Sequence, residues 1–103
     1  MKRILLTEAD IDAHAPAEVA ARDQLQQGDR LTLRHAPKIG LPWRLELVNA
    51  AGDCVGRLLD TGSPTEAVAR LVIASKTVEA EVTAVHRLYT RTVVNVAMYL
   101  IEP

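Results

Sequence analysis

Basic and aromatic residues are the chemistry-bearing side chains that recur at usable spacing in this chain. Arg34, His35, Lys38 and Arg44 flank a loop carrying Trp43, and Arg87, Tyr89 and Arg91 follow at intervals of two. Cations interleaved with aromatic rings suit a single nucleic-acid strand, because phosphates meet the cations and bases stack on the rings. The other reading of Arg87 and Arg91 is a solvated hairpin tip, its arginines paired across a sheet with Glu79 or Glu81. The loop itself, Ile39-Gly40-Leu41-Pro42-Trp43, is apolar. Its Ile39, Leu41 and Trp43 suit a protein partner, since buried tryptophan is a frequent interface anchor. Trp43 is equally suited to stack on a base, or to fold back over the end of a core that holds no Phe.

Other catalytic patterns find no footing. His14, His35 and His86 are not spaced as metal ligands, and a single cysteine cannot complete a zinc site. Cys54 falls in a strand pattern and reads as a buried, inert thiol; with no second cysteine there is no intrachain disulfide. His86 reads as a hydrogen-bonded residue on the apolar face of its strand. Glu79 and Glu81 share a strand face about 7 Å apart, a pair that suits a solvated surface better than hydrolysis. The glycines are isolated, so no phosphate-cradling loop is present. The expectation is a protein that is not an enzyme and needs no cofactor or metal.

The elements that must position these residues follow from periodicity. Arg3 to Leu6 reads as a short strand, and Asp10 to Ala15 as a polar connection. Pro16 opens a helix with Ala17, Ala20, Ala21 and Leu25 on one face and Gly28 as its stop. Leu31 to Arg34, Arg44 to Val48 and Asp53 to Leu58 read as strands with Leu45, Leu47, Cys54 and Leu58 inward. Residues 35–43 form a loop, and Asn49-Ala50-Ala51-Gly52 a tight turn with Gly52 at positive φ. Asp60 to Gly62 breaks the pattern. Ser63-Pro64-Thr65-Glu66 spells a capping box for a helix over 64–74, with Ala67, Val68, Leu71 and Val72 as its apolar face. Thr77 to Leu88 alternates, with Val78, Ala80, Val82, Ala84 and Leu88 on one side. Thr92 to Ile101 is apolar on both faces, for which a central place in the sheet is the simpler reading; as an open edge it would need a partner, and a homodimer is the alternative.

With 103 residues, 49% of them hydrophobic, the chain supports one domain spanning 1–103. The fold class is mostly β: a small OB-like barrel of about six strands with two short helices. The formal charge of −1 gives no global pull toward nucleic acid or anionic lipid. Residues 30–57 are nevertheless locally basic and the first 29 acidic. Arg3 to Leu6 is too short for a signal peptide or a membrane span, so the expected location is cytoplasmic, without a membrane partner.

The order strand, helix, three strands, helix, two strands resembles the HIRAN domain family. The residues that carry it are LQQGDRLTL (25–33), LELVNAAGDCVGRL (45–58), the helix-to-long-strand stretch 69–85 and the last strand 92–101. The resemblance implies an OB-like barrel that grips single-stranded DNA at its free 3′ end, through an N-P-Y-D-x-N-A type stretch. Here that stretch falls on Lys38 to Arg44, KIGLPWR, without its Asn, Tyr, Asp and Asn, so no residue carries over as a 3′-hydroxyl ligand. The functional expectation is a stand-alone, non-catalytic module binding single-stranded DNA or DNA ends. Its face would hold Arg34, Lys38, Trp43, Arg44, Arg87, Tyr89 and Arg91. The alternative is a protein-interaction module or small regulator docking through Ile39, Leu41 and Trp43.

Overall fold

The computed structural model describes residues 1–58 and 63–103. Its strands are β1 (Lys2–Asp12), β2 (Arg30–His35), β3 (Leu45–Val48), β4 (Cys54–Leu58), β5 (Val78–Arg87) and β6 (Thr92–Glu102). Helix α1 (Pro16–Asp23) joins β1 to β2, and α2 (Ser63–Ile73) joins β4 to β5. The strands close in the order β1-β4-β3-β2-β5-β6, with every neighbouring pair antiparallel. Closure removes the open edge that Thr92 to Ile101 would have presented, and β6 lies between β5 and β1 as its two apolar faces require.

The interior is aliphatic. Leu31, Leu33, Leu45, Leu47, Val55, Val82, Val94, Val96 and Met98 are buried inside the barrel, and Val68 and Ala69 of α2 join them. Helix α2 packs on β1, β2 and β5; α1 packs on β4, and Leu25 just beyond it enters the core. The expected break at Asp60 to Gly62 and the capping role of the Ser63 side chain lie outside the described residues. Glu66 forms an i,i+4 ion pair with Arg70 at 3.0 Å.

Four expectations are corrected. The first strand runs to Asp12, not Leu6, because Thr7 to Asp10 pair with Asn95 to Met98 past a bulge at Leu5/Thr7. Helix α1 ends at Asp23, and Ala17 and Ala20 of its expected face are exposed. Cys54 points outward and Val55 is buried in its place, because Leu47 pairs with Gly56 and Val48 with Cys54 across a bulge. A further bulge between Val82 and Ala84 turns Val85 onto the core, so His86 and Leu88 are exposed. Each bulge adds one residue and reverses the facing of everything beyond it.

Candidate functional site

The expected binding surface divides in two. Arg30 pairs with Glu81 and Thr32 with Glu79, so Arg34 lies toward the start of β5. Arg87 ends β5, some ten residues on, which is about 30 Å of strand at about 3.3 Å per residue. Arg34, Lys38, Trp43 and Arg44 therefore sit toward one end of the barrel, and Arg87, Tyr89 and Arg91 toward the other. The single face expected from sequence is not formed.

Most of its arginines are also engaged. On the outer surface, register lines up Arg34, Glu46, Arg57 and Asp12 across β2, β3, β4 and β1. Charges alternate along this row. Arg34 donates to Glu46 Oε1 from Nε at 3.2 Å and from Nη2 at 2.8 Å. Arg44, only 10% exposed, donates to Glu46 Oε2 at 3.2 Å and to the Ala36 carbonyl at 2.9 Å. Burial works to raise the Glu46 pKa, but the Arg34 hydrogen bond and the nearby Arg44 charge hold it below its ordinary value. The same Glu46 hydrogen bond raises the Arg34 pKa further. At the other end, Arg87 donates to the carbonyls of Asp23 and Leu25, closing the C-terminus of α1. Glu79 and Glu81 pair with Arg30 and Arg3, not with Arg87 or Arg91. Strand β5 ends at Arg87, and Leu88 N–H bonds the Arg91 carbonyl at 2.8 Å around a turn that leaves Tyr89 fully exposed.

Helix α1 docks on the charge row through Glu18. Its carboxylate takes Arg57 Nη2 at 2.8 and 2.9 Å, the N–H groups of His14 and Ala15 at 3.3 Å, and the Cys54 thiol at 3.5 Å. Burial alone would raise the Glu18 pKa; these donors together bring it down to about 2. Burial, with Glu18 and Glu46 beside it, pushes the Cys54 thiol up, which suits an inert thiol and not a nucleophile. Glu18, Glu46 and Cys54 bring their ligand atoms within 4.8 Å of one another. Both carboxylates are already neutralised by arginine, so this grouping acts as a structural clamp.

Trp43 folds back. It is half-buried against the core, and the Arg70 guanidinium lies 4.4 Å above its ring. That leaves Ile39 and Leu41 as the exposed apolar residues of the loop, Ile39 completely so. They belong to a tight turn in which Lys38 and Leu41 exchange backbone hydrogen bonds of 2.8 and 3.1 Å, with Gly40 at φ +80°. His35 Nε2 to the Pro42 carbonyl at 2.8 Å ties the base of the loop.

The cations without an ion pair are more telling. Among the described residues Lys2, Lys38 and Lys76, all the lysines of the chain, form none, and neither do Arg91 and Arg87, the latter bonding only carbonyls. Lys2 pairs with Glu102 and Val78 with Leu100 in register, so β1 and β5 begin and β6 ends at the end where β2 finishes. The three lysines thus gather at the end covered by α2, together with the 38–41 turn. Sequence reasoning passed over Lys2 and Lys76, which only the register brings to this end. Compared with known proteins, the chain matches no family model, no curated protein and no solved structure. No helix among the described residues is long and apolar enough to cross a membrane.

Proposed function

We propose that this chain is a non-catalytic, HIRAN-like nucleic-acid-binding module that takes a single strand at the α2 end of its barrel. The observation that carries the reading is the collection there of all three lysines, each without an ion pair among the described residues, around a projecting loop. Arg34, 56% exposed although paired with Glu46, adds a fourth cation. Lysines held in water lose little on meeting phosphate and release counterions from the strand. Arg87, Tyr89 and Arg91 fall outside this site, and Trp43 and Arg44 support the loop from within. A cytoplasmic location accords with such a role.

Fluorescence anisotropy of a labelled single strand, with a free 3′ end, a 3′-phosphate or a complementary strand, tests this at several salt concentrations. Four cations give a log K against log salt slope between about −2 and −3 at about 0.7 per phosphate. A preference for the free 3′ end would extend the HIRAN likeness to activity. Absence of binding to every form at low salt overturns the reading. The full exposure of Ile39 favours a second one, a protein partner docked on the 38–41 turn. Such binding would be insensitive to salt and abolished by Ile39→Asp.

A further inference from the structure

We infer that Ile39 is a wedge that inserts between neighbouring bases of the strand held at the α2 end. The inference rests on the nucleic-acid reading and adds to it a base-contacting element. A strand bound through its phosphates alone leaves its bases unaccompanied, and stacking on an aromatic ring is the usual remedy. That remedy is largely taken up here: Trp43 packs on the core beneath Arg70, the half-buried Tyr99 of β6, near this end, carries the Arg3 guanidinium 4.1 Å above its ring, and Tyr89 is at the other end of the barrel. The exposed apolar side chains toward this end, Leu5, Ile39, Leu41 and Ile73 among them, are aliphatic, and Ile39 is the fully exposed one on the turn. Isoleucine and leucine are among the side chains that proteins drive between base steps, unstacking them.

The geometry suits insertion. Ile39 stands at the tip of a closed turn, with Gly40 in the positive-φ position that a type II turn requires. The loop is held at its base by the His35–Pro42 bond, by Arg44 to the Ala36 carbonyl and by Ala36 N–H to the Arg44 carbonyl at 3.0 Å. A β-branched side chain has few χ1 states to lose. The tip is therefore fixed before it meets a ligand, which lowers the cost of binding. The charge beside it selects the occupant: Lys38 directly precedes Ile39 and pairs with no carboxylate among the described residues, placing an ammonium next to the wedge for the adjoining phosphate. An apolar pocket on a protein would gain nothing from that ammonium unless it carried an acidic rim.

The test uses the full chain and a single strand containing 2-aminopurine, whose emission rises when its neighbours unstack. Anisotropy is read on the same samples. The expected result is a several-fold rise in emission on binding, absent in Ile39→Ala, with affinity falling by no more than roughly tenfold because the lysines remain. Ile39 touches no core residue, so the variant keeps its fold, and circular dichroism checks this. Binding with no rise in emission overturns the wedge and leaves the lysine site standing, as does an equal rise in Ile39→Ala. Absence of binding overturns the nucleic-acid reading and the wedge with it. So does retention on vesicles containing phosphatidylserine without any binding to the strand.

Discussion

Both carboxylate oxygens of Glu18 accept from a single nitrogen of Arg57, Nη2, at 2.8 and 2.9 Å, and this pairing fastens α1 to the outside of the barrel. The two side chains are only 15% and 18% exposed, and Arg57 Nε is buried without a partner. Removing the carboxylate would leave a guanidinium poorly compensated. Glu18 has a folded pKa of about 2 against an ordinary 4.5. A depressed carboxylate contributes stability that is complete above about pH 4.5 and disappears as the pH falls toward 2. The contribution is about 2–3 kcal/mol. Glu46, shifted in the same direction, adds to the same acid limb. Urea unfolding at a series of pH values is expected to show stability declining over that window. Glu18→Gln should be less stable than the parent by about 2 kcal/mol at pH 7, with the gap narrowing at the acid end. An unchanged gap at low pH would refute the assignment.

Gly56 and Gly52 both take positive φ, +131° and +91°, yet their surroundings differ. A Cβ at Gly56 would lie 2.5 Å from the Asp12 carbonyl oxygen and 2.8 Å from Ile11 Cγ2, where β4 meets β1. A Cβ at Gly52 would meet nothing within 4 Å. Gly52→Ala is therefore expected to cost about 1 kcal/mol, the backbone strain alone. Gly56→Ala should cost about 3 kcal/mol or more, because strain and overlap act together at the seam that closes the barrel. Chemical denaturation of the two variants side by side measures the difference.

The barrel was legible where alternation ran unbroken. Leu31 and Leu33, Leu45 and Leu47, and Ala80 and Val82 are buried as their period of two requires, and Gly52 turns where Asn49 to Gly52 marks a hairpin. Alternation misled at the bulges. Nothing in the run from Thr77 to Leu88 announces the extra residue near Thr83 that exchanges Val85 for Ala84 and exposes His86. Gly56 was such an announcement on β4, since an isolated glycine in a strand often marks a bulge. The inward turn of Glu18 depends on Arg57, 39 residues away, and periodicity in α1 cannot register a partner at that distance. The site was hidden for a related reason. Arg34 and Arg87 belong to similar basic clusters in sequence, but an antiparallel register sends them to opposite ends of β5.

Lysines and arginines should separate in the salt dependence of strand binding. Among the described residues Lys2, Lys38 and Lys76 have no ion pair to give up, whereas eight arginines are held by carboxylates or carbonyls. Replacing the three lysines with glutamine is expected to make the log K against log salt slope shallower by about 2, at about 0.7 for each phosphate no longer neutralised. Arg91→Gln, at the opposite end, should leave the slope unchanged. Equal effects from both variants would mean that the strand does not select the α2 end.

Trp43 reports on the end of the barrel that α2 covers. It is the only tryptophan of the chain, so emission arises from one known place. Arg70 lies 4.4 Å from the ring centre and also reaches Glu66 at 3.0 Å, an i,i+4 pair that holds the guanidinium over the indole. The stacking contributes about 0.5–1 kcal/mol at a partly exposed site, and the exposed ion pair about 0.3–0.5 kcal/mol. Arg70→Ala removes both and uncovers one face of the ring. Acrylamide should then quench Trp43 more strongly, and stability should fall by about 1 kcal/mol. Glu66→Gln leaves the guanidinium in place and weakens only its tether, so quenching should change less. Core packing holds the indole from its other side, so neither variant is expected to shift emission as far as unfolding does. If Arg70→Ala left quenching unchanged, the ring would not be covered by Arg70 in solution. Trp43 would then be free to stack on a base, and Ile39 would share the contact with a strand at this end.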